Sequence, residues 1–484
     1  MAAVLRDAYL DRDSPSTTEQ GKAIGRALAE SYQRLLTFES VGNGFSALGG
    51  GPADLYQTAY ALMCLSDMSR VYPVDPAVVE RTARWLLDRQ SEQGTWTVSP
   101  LPMTWSDLPR PELPATAYTA WALIDAGYVR EPQVQQAAAH LERYLDKAQD
   151  PYTLALTVHA LMAYRAEVEQ ADSPALESAL ARLAEMAQVS DGVAVWPSAR
   201  ETFGGAVSEG TQAGAADAER TALAVLALLR AHTWTDLATQ GLSWLAENRD
   251  PAGTWRSPQA TLLALEALST AAEGRYPMPG QPAEPVIRVT VGEGYTETVH
   301  LGSQDAQVLV FGQLAKGYND IELEAAGPGM VVYQALGTYY LPWDQVTLRP
   351  PEEEAIQIEV SYSSTSVSVG ETITVGVGVR ANRPGVVPLA VVELGLAPGL
   401  DLVAEDWDAL VASGVVAAYQ QASGQVRAYL GNVSGENTVR FEVRLRARFP
   451  VVAKTQLTRV YDLANPRPVS IRQPVEITVN GSGS

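Results

Sequence analysis

The sequence predicts a chain of α-then-β class, in which an α/α toroid is followed by a small β domain and a C-terminal antiparallel β-sandwich. Three observations predict this order. Apolar helical segments recur through the first 275 of the 484 residues, as they do in repeat architectures. Residues 276–285 then contain four prolines in ten positions, which a helix cannot accommodate. Beyond this linker, Val, Thr, Gly and Tyr alternate in the manner of strands.

The toroid is predicted for residues 1–275 because two kinds of helix alternate there. Five segments are apolar almost all round and rich in alanine, which is typical of helices buried on every side. They are residues 55–62, 114–123, 152–161, 219–228 and 258–268. Segments with one charged face lie between them, at residues 77–90, 134–148 and 235–248. This alternation predicts an inner layer of helices enclosed by an outer layer.

A second repeat supports the same architecture. Residues 84–96 end in Gln-Gly-Thr-Trp96, and residues 243–255 end in Ala-Gly-Thr-Trp255 after a similar helical start. In each repeat a helix ends, a glycine supplies the turn, and a tryptophan is expected to anchor the loop against the end of the toroid.

Two β domains are predicted after the linker. The first covers residues 286–345, with strands expected at 286–291, 308–311, 321–324 and 330–336. The second is a sandwich over residues 356–480, with strands expected at 356–361, 373–379, 389–396, 426–430, 439–447, 456–461 and 475–479. Residues 404–412 have helical spacing, and Trp407 and Leu410 are expected to pack them onto the sandwich. Glu352-Glu-Glu354 is interpreted as a solvated run of charges.

Composition excludes several function classes. The formal net charge is −21, which disfavours binding to nucleic acid or to an anionic membrane surface. No apolar run reaches membrane-spanning length. Cys64 is the only cysteine and lies in an apolar helical segment, so we expect a core residue, no intrachain disulfide and no cysteine-based zinc site. The four histidines, His140, His159, His232 and His300, show no ligand spacing, and neither a metal nor a cofactor is expected.

Short motifs occur in order along the whole chain, at residues 42–46, 57–60, 84–90, 152–156, 256–261, 391–400 and 460–462. In this order they resemble the C-terminal part of the alpha-2-macroglobulin and complement thioester-containing proteins. Gly42-Asn-Gly-Phe-Ser46 is similar to the family's Asp-Gly-Ser-Phe-Ser loop. The chain is similar to the family's successive helix signatures at residues 57–60, 84–90, 152–156 and 256–261. Residues 391–400 and the Val-Tyr-Asp of residues 460–462 resemble strands of the family's receptor-binding domain.

The resemblance implies a domain assignment and a function. Residues 1–275 would be a thioester-containing domain, residues 286–345 the second half of a CUB domain, and residues 356–480 a receptor-binding domain. The parent protein would be a secreted or envelope-associated macroglobulin that traps proteases or tags surfaces, with no signal peptide in this chain. Its partners would be proteases or surface proteins and the upstream part of the same molecule. Half a CUB domain would leave apolar strand residues uncovered, among them Val286, Ile287, Val289 and Val291.

Departures from the family's pattern limit the function that the resemblance implies. The family's reactive bond joins Cys to Gln within Gly-Cys-Gly-Glu-Gln, which this chain does not contain; we expect it just upstream of Met1. A histidine that directs transfer to hydroxyl groups in some members has no counterpart, since Met103 and Trp105 lie near that position. The helix at 404–412 carries acids and no lysine, so clearance-receptor binding is not carried over. The chain as it stands should hold no catalytic residue.

Two other functions remain open from the residues. A non-covalent protein-binding or scaffold module would need no thioester. An isoprenoid enzyme on an α/α toroid is the more distant alternative, because Asp11-Arg-Asp13-Ser14 lacks the final acid of the cyclases' Asp-x-Asp-Asp cluster. Prenyltransferases need a zinc-bound cysteine and histidine, and Cys64 sits in an apolar segment. We therefore expect that the chain is not an enzyme.

Overall fold

A computed structural model of the chain describes residues 19–46, 51–98, 108–171, 173–198, 202, 214–250, 253–272, 286–292, 295–300, 309, 317–326, 333, 335, 342–346, 354–382, 386–422, 424–463 and 469–481. The chain forms two compact units, Met1–Ala335 and Leu336–Ser484. In the described part of the chain, no helix is long and apolar enough to cross a membrane.

The first unit contains the predicted toroid. After α1 (Glu19–Leu36) come the inner helices α2 (Leu55–Ser69), α4 (Glu112–Asp125), α6 (Pro151–Glu167), α8 (Ala215–Arg230) and α10 (Pro258–Ala272). The outer helices are α3 (Pro76–Leu87), α5 (Pro132–Arg143), α7 (Pro174–Glu185) and α9 (Thr235–Glu247). Each inner helix packs on the next one, from α2 to α10, and each outer helix packs on an inner one. The alternation of the sequence is therefore confirmed as two layers.

Composition explains why the two layers differ. In α6, eleven successive residues from Pro151 to Leu161 are buried, because a helix surrounded by others needs apolar or small side chains on every face. In α5, only Val134, Ala137, Ala138 and Leu141 are buried, which is the i, i+3, i+4, i+7 stripe of a helix with one covered face. Proline at the first positions of α3, α5, α6 and α7 starts these helices without losing a hydrogen bond.

The tryptophan anchors are confirmed, and they follow a common hydrogen-bonding scheme. Each indole donates to a carbonyl of the preceding outer helix, as Trp96 Nε1 does to Leu86 O at 2.8 Å and Trp255 Nε1 to Leu245 O at 2.8 Å. Each backbone N–H donates to a threonine hydroxyl at the start of an inner helix. The pairs are Trp96 with Thr116, Trp196 with Thr221 and Trp255 with Thr261, and Phe45 binds Thr58 in the same way. The third tryptophan and the phenylalanine were not expected from the sequence.

A three-stranded sheet completes the described part of the first unit. Its strands are β3 (Val286–Val291), β4 (Tyr295–His300) and β5 (Ile321–Ala326), in the order β4-β3-β5 with antiparallel pairing, after the short hairpin β1 (Gln188–Ser190) and β2 (Val193–Val195) within the toroid. The expectation that β3 exposes its apolar residues is wrong. Ile287, Val289 and Val291 are buried and pack with Leu309 and Leu323, because the alternating face of β3 is covered by its own neighbours. Most of the strands expected at 308–311 and 330–336 lie outside the described residues.

Both outer strands of this sheet, β4 and β5, pair on one side only within the described ranges. Unpaired strand edges bind further strands. We expect backbone amides of residues 295–300 and 321–326 to exchange with solvent faster than those of the inner helices, and we expect concentration-dependent self-association through these edges. Segment-resolved hydrogen exchange and light scattering check this.

Ile321 offers a control for that prediction, since it lies on β5 and is 44% exposed. Ile321→Lys should reduce self-association, because a lysine on an edge strand opposes pairing. A peptide carrying the upstream strands of the parent protein should slow exchange in β4 or β5, and a scrambled peptide should not. Slow exchange of both strands in a strict monomer, with no effect of the peptide, would contradict the half-domain interpretation.

The second unit is the predicted sandwich. The strands of one sheet are β6 (Ile356–Tyr362), β8 (Thr372–Ala381), β10 (Leu400–Leu402) and β13 (Val439–Ala447). Those of the other are β9 (Val386–Gly395), β11 (Ala418–Ala422), β12 (Gln425–Ser434), β15 (Thr458–Asp462) and β16 (Ser470–Arg472). The strand order is β10-β13-β8-β6 in the first sheet and β11-β12-β9-β15-β16 in the second. A third sheet joins β7 (Ser366–Ser368), β14 (Val451–Lys454) and β17 (Glu476–Asn480), in which β7 and β17 run parallel. The unit is thus not wholly antiparallel.

Helix α11 (Ala404–Ala412) closes the sandwich as expected. Trp407 is fully buried against Phe441 and Tyr419, and Leu410 packs against the same core. Glu354, in contrast, is not solvated: it is 4% exposed and accepts bonds from Ser470 Oγ at 2.7 Å and from Arg472 Nη2 at 3.1 Å. The interpretation of this residue as part of a solvated run was wrong, because an arginine more than one hundred positions away pairs with it.

Candidate functional site

A buried polar cluster lies where the first turns of the inner helices meet. Four tyrosines and one acid form what we call the tyrosine–glutamate cluster: Tyr56, Tyr60, Tyr118, Tyr152 and Glu219. Glu219 is fully buried in α8, in a helix whose buried residues are mostly apolar. A buried carboxylate is retained only where hydrogen bonds compensate for its lost hydration.

Glu219 receives those bonds from two other parts of the toroid. The Tyr152 hydroxyl, from the first turn of α6, donates to Glu219 Oε1 at 3.1 Å. The Thr202 hydroxyl donates to Glu219 Oε2 at 2.6 Å. Both carboxylate oxygens are therefore used, and the acid ties α6, α8 and the connection between α7 and α8 together.

The remaining tyrosines of the cluster form a row of rings. The ring centroids of Tyr56 and Tyr118 are 5.3 Å apart, and those of Tyr56 and Tyr60 are 6.3 Å apart. Burial raises the pKa of Tyr56, Tyr60 and Tyr118 above the ordinary value, and the negative charge of Glu219 raises each further. The phenols stay protonated, so the cluster offers hydroxyl donors in an environment with little water.

An ion pair on α8 fixes the segment that contains Trp196 and Ser198. Arg220 is fully buried and pairs with Asp217 of the same helix. Its guanidinium also donates to the carbonyl of Trp196 at 3.1 Å and to that of Ser198 at 3.0 Å. Burial lowers the pKa of Arg220, and the charge of Asp217 opposes this. One signal of this arrangement is visible in the sequence, the run Asp217-Ala-Glu-Arg220 within a mostly apolar helix.

Cys64 adjoins the cluster, one turn beyond Tyr60 on α2. Its side chain is half-buried by area. Burial is the main cause that raises the pKa of the thiol, to about 12. A hydrogen bond with Tyr60 lowers the pKa, and the charge of neighbouring Asp67 raises it. A thiol with such a pKa is almost entirely protonated near neutral pH, and the protonated form is a poor nucleophile.

An acidic cluster lies at the opposite ends of the inner helices. Asp67 lies in the last turn of α2, near Asp125 of α4 and Glu266 of α10. Arg70 Nη1 lies 3.3 Å from the Asp67 carboxylate. Burial raises the pKa of Asp67 to about 6, and the charges of Asp125 and Glu266 contribute to this while Arg70 opposes it. Because the folded-state pKa exceeds the unfolded value, ionised Asp67 destabilises the fold, and stability increases as pH falls from about 7 through 6.

Asp67→Asn is therefore expected to stabilise the toroid near neutral pH by about 1–2 kcal/mol, since it removes an unfavourable charge at the cost of one partly exposed ion pair. Urea unfolding followed by far-UV circular dichroism measures this. Asp191→Asn, in an exposed turn, should leave the free energy of unfolding unchanged. A destabilised Asp67→Asn variant at neutral pH would show that the Arg70 pair outweighs the repulsion.

The environments of His159 and His140 differ from each other. His159 is fully buried, as expected for a core residue; its Nε2 lies 2.8 Å from the carbonyl of Leu223, and Arg230 Nη1 lies 3.2 Å from its Nδ1. His140 Nε2 lies 3.9 Å from Glu112 Oε1. Met103 and Trp105, the candidates near the family's reactive centre, lie outside the described residues, as do Asp11 and Asp13. Among the described residues, no group of three His, Cys, Asp or Glu side chains could hold a metal ion.

Comparison with known families decides the assignment. The A-macroglobulin TED domain matches residues 2–271, more than half of the chain, and the A-macroglobulin receptor binding domain matches residues 387–473. The chain belongs to the alpha-macroglobulin family. The toroid is the thioester-domain region of a macroglobulin and the sandwich is its receptor-binding-domain region, in the order that the sequence motifs indicated.

Individual macroglobulin relatives agree with this assignment. Ovostatin of Gallus gallus is 24% identical over 343 residues, which cover 68% of this chain and 22% of that protein. Thioester-containing protein 1 of Anopheles gambiae is 22% identical over 322 residues, or 63% and 22% of the two chains. The chain thus spans about a fifth of the length of these relatives.

Solved structures show the same fold over almost the whole chain. Native alpha-2-macroglobulin from Escherichia coli, from domain MG7 to the C-terminus, covers 99% of this chain and 72% of its own length, with a TM-score of 0.61 and 14% identity. Salmonella alpha-2-macroglobulin reacted with methylamine covers 99% of this chain and 29% of its own, with a TM-score of 0.62 and 15% identity.

Proposed function

We propose that this chain is the C-terminal part of a macroglobulin that traps proteases, acting in the cell envelope or outside the cell, and that it contributes no enzymatic chemistry of its own. The observation that carries this is the toroid followed by β domains, aligned over 99% of the chain with an alpha-2-macroglobulin that extends further upstream. In the parent molecule, the toroid shields the reactive thioester until cleavage of a bait segment.

The tyrosine–glutamate cluster supports a shielding role. A thioester survives only where water and nucleophiles are kept away from it, and a tightly packed aromatic wall excludes both. All of the cluster's tyrosines are protonated at neutral pH or bonded to Glu219, so none offers a nucleophilic phenolate. The cluster therefore presents no nucleophile that would attack a thioester.

Two experiments test this function. Reading the DNA upstream of the Met1 codon should reveal an in-frame bait region and a Gly-Cys-Gly-Glu-Gln motif. The protein made from the whole reading frame should block a protease from digesting a large protein substrate, while small peptide substrates remain accessible to the enclosed protease. An upstream region without either feature, or a full-length product that leaves protein digestion unchanged, would refute protease trapping.

The chain alone gives the matched control, because it has no thioester motif. It should gain no mass on methylamine treatment and should not become attached to a protease. Cys64 should resist thiol reagents until the toroid unfolds, owing to its raised pKa. Mass spectrometry after native and denatured labelling checks both points. Rapid native labelling of Cys64, or any methylamine adduct, would show reactive chemistry within this chain.

Non-covalent recognition of partners is the second candidate function. It is favoured by the absence of the Gly-Cys-Gly-Glu-Gln motif from the chain, since binding requires only a complementary surface. Stable capture of a protease by this chain alone, without a covalent bond, would support it over the trapping function.

A further inference from the structure

An open cleft lies on the outer layer of the toroid, between helix α3 and the hairpin formed by residues 39–45. We call it the arginine cleft; Gly42 and Asn43 line one side, and Arg84, Trp85 and Arg89 line the other. Its volume of about 330 Å³ equals the share of liquid volume of roughly eleven water molecules. That space admits an organic group as well as an ion.

The walls of the cleft are fixed before anything binds. A bridge between Glu39 and Phe45 closes the hairpin, and Arg81 of α3 binds both oxygens of the Glu39 carboxylate, with Nη2 at 2.8 Å from Oε2. The hairpin touches the Trp85 indole at Gly44, where a Cβ atom would lie 2.5 Å from the ring. Only glycine allows this contact, so the hairpin and the helix form one preorganised unit.

Two of the three arginines that line the cleft have no acidic partner among the described residues. Glu39 pairs with Arg81, and no described carboxylate lies within 4.0 Å of Arg84 or Arg89. The guanidinium of Arg89 lies 3.7 Å from the Trp85 ring centroid, and its Nη1 donates to the Trp85 carbonyl at 3.1 Å. The stacked guanidinium keeps four further N–H donors, in a chain whose net charge is −21.

Glu80 and Asp88 also line the cleft, one helical turn to either side of Arg84. Their charges oppose a polyanion such as a phosphate cluster, because like charges would be brought together. They are compatible with one carboxylate on an uncharged body. An apolar body also has contacts available, since Val41 at the hairpin tip is fully exposed and the planar face of an arginine stacks on aromatic rings.

We propose that the arginine cleft binds a single carboxylate carried on a planar apolar group, as an aromatic residue beside a free carboxylate of a protein partner presents it. Arg84 and Arg89 bind the carboxylate, and the ring lies between Arg89 and the hairpin. This binding needs no thioester and is independent of the trapping function.

The probe is 3-phenylpropionate, added to the full ¹⁵N-labelled chain while the indole N–H signals are observed by NMR. The Trp85 signal, identified through Trp85→Phe, should shift in a saturable manner. The neutral amide, 3-phenylpropionamide, should cause no shift. The double variant Arg84→Gln, Arg89→Gln should weaken binding at least tenfold, roughly the loss expected for two charge-assisted hydrogen bonds. Glu80→Gln should strengthen it roughly twofold or more, because a repelling charge is removed.

Arg130→Gln is the matched control, since Arg130 is an exposed arginine of the same toroid that does not line the cleft; its affinity should equal that of the original chain. The replaced arginines are exposed, so circular dichroism should confirm intact folding in every variant. Equal shifts with acid and amide, or an unchanged affinity in the double variant, would overturn the proposal. Tighter binding of inorganic phosphate than of 3-phenylpropionate would overturn the assignment to a single carboxylate.

Discussion

Replacing Arg220 with Met is expected to lower the free energy of unfolding of the toroid by about 3–5 kcal/mol, because it removes the charged partner of a buried carboxylate. Asp217 would keep its carboxylate with only 9% of the side chain exposed, and the carbonyls of Trp196 and Ser198 would each lose a donor. Urea unfolding followed by far-UV circular dichroism reports on the toroid, since nearly all helices lie there.

Two further variants make this expectation specific. Arg84→Met changes an exposed arginine that forms no ion pair with a described residue and should change stability by no more than about 0.5 kcal/mol. Adding Asp217→Asn to Arg220→Met should recover part of the loss, because the uncompensated charge is removed while an acceptor for the Gly214 N–H remains. A single variant as stable as the original chain would show that the buried pair is not structurally important.

Acidification should destabilise the toroid through His159. Burial lowers the pKa of His159 to about 3, and the neighbouring charge of Arg230 contributes while the bond to Leu223 opposes it. The unfolded chain binds this proton near pH 6.5, so the unfolded state takes up more protons below that value and stability falls as pH decreases. Between about pH 7 and pH 5 the expected loss from this residue is about 2 kcal/mol.

His159→Gln isolates this contribution from that of other titrating groups. Its amide can donate to the Leu223 carbonyl and accept from Arg230, but it cannot become charged. The difference in unfolding free energy between the original chain and His159→Gln should shrink or change sign as pH falls from 7 to 5. His300→Gln, at an exposed histidine, is the matched control for introducing a glutamine and should have the same unfolding free energy as the original chain at pH 7. Parallel stability curves for the original chain and His159→Gln would contradict the lowered pKa.

The layering of the toroid was accessible from sequence because it depends on local periodicity. A helix buried on all sides, such as α6, differs in composition from one with a single covered face, such as α5, and a window of a dozen residues records that difference. The tryptophan anchors were found for the same reason, since Gly-Thr-Trp follows its helix directly. Trp196 was missed because its loop has a different sequence, Asp191-Gly-Val-Ala-Val-Trp196.

The tyrosine–glutamate cluster could not be predicted in the same way. Tyr152 and Glu219 meet across 67 positions of sequence, and nothing in either segment indicates the other. The Glu354–Arg472 pair and the parallel pairing of β7 with β17 likewise join distant segments. Only the unusual presence of charge in an apolar helix, as at Glu219 and Arg220, could have indicated that a partner was required.

The threonine bonds to Phe45, Trp96, Trp196 and Trp255 have a consequence for biosynthesis. Each joins residues no more than 25 positions apart, whereas closing a ring of helices brings together the two ends of the domain. Contacts of low sequence separation form early and with a small loss of chain entropy. Each hairpin of outer and inner helix can therefore mature as it leaves the ribosome, so that synthesis of the toroid exposes only a short unfinished segment to aggregation at any time.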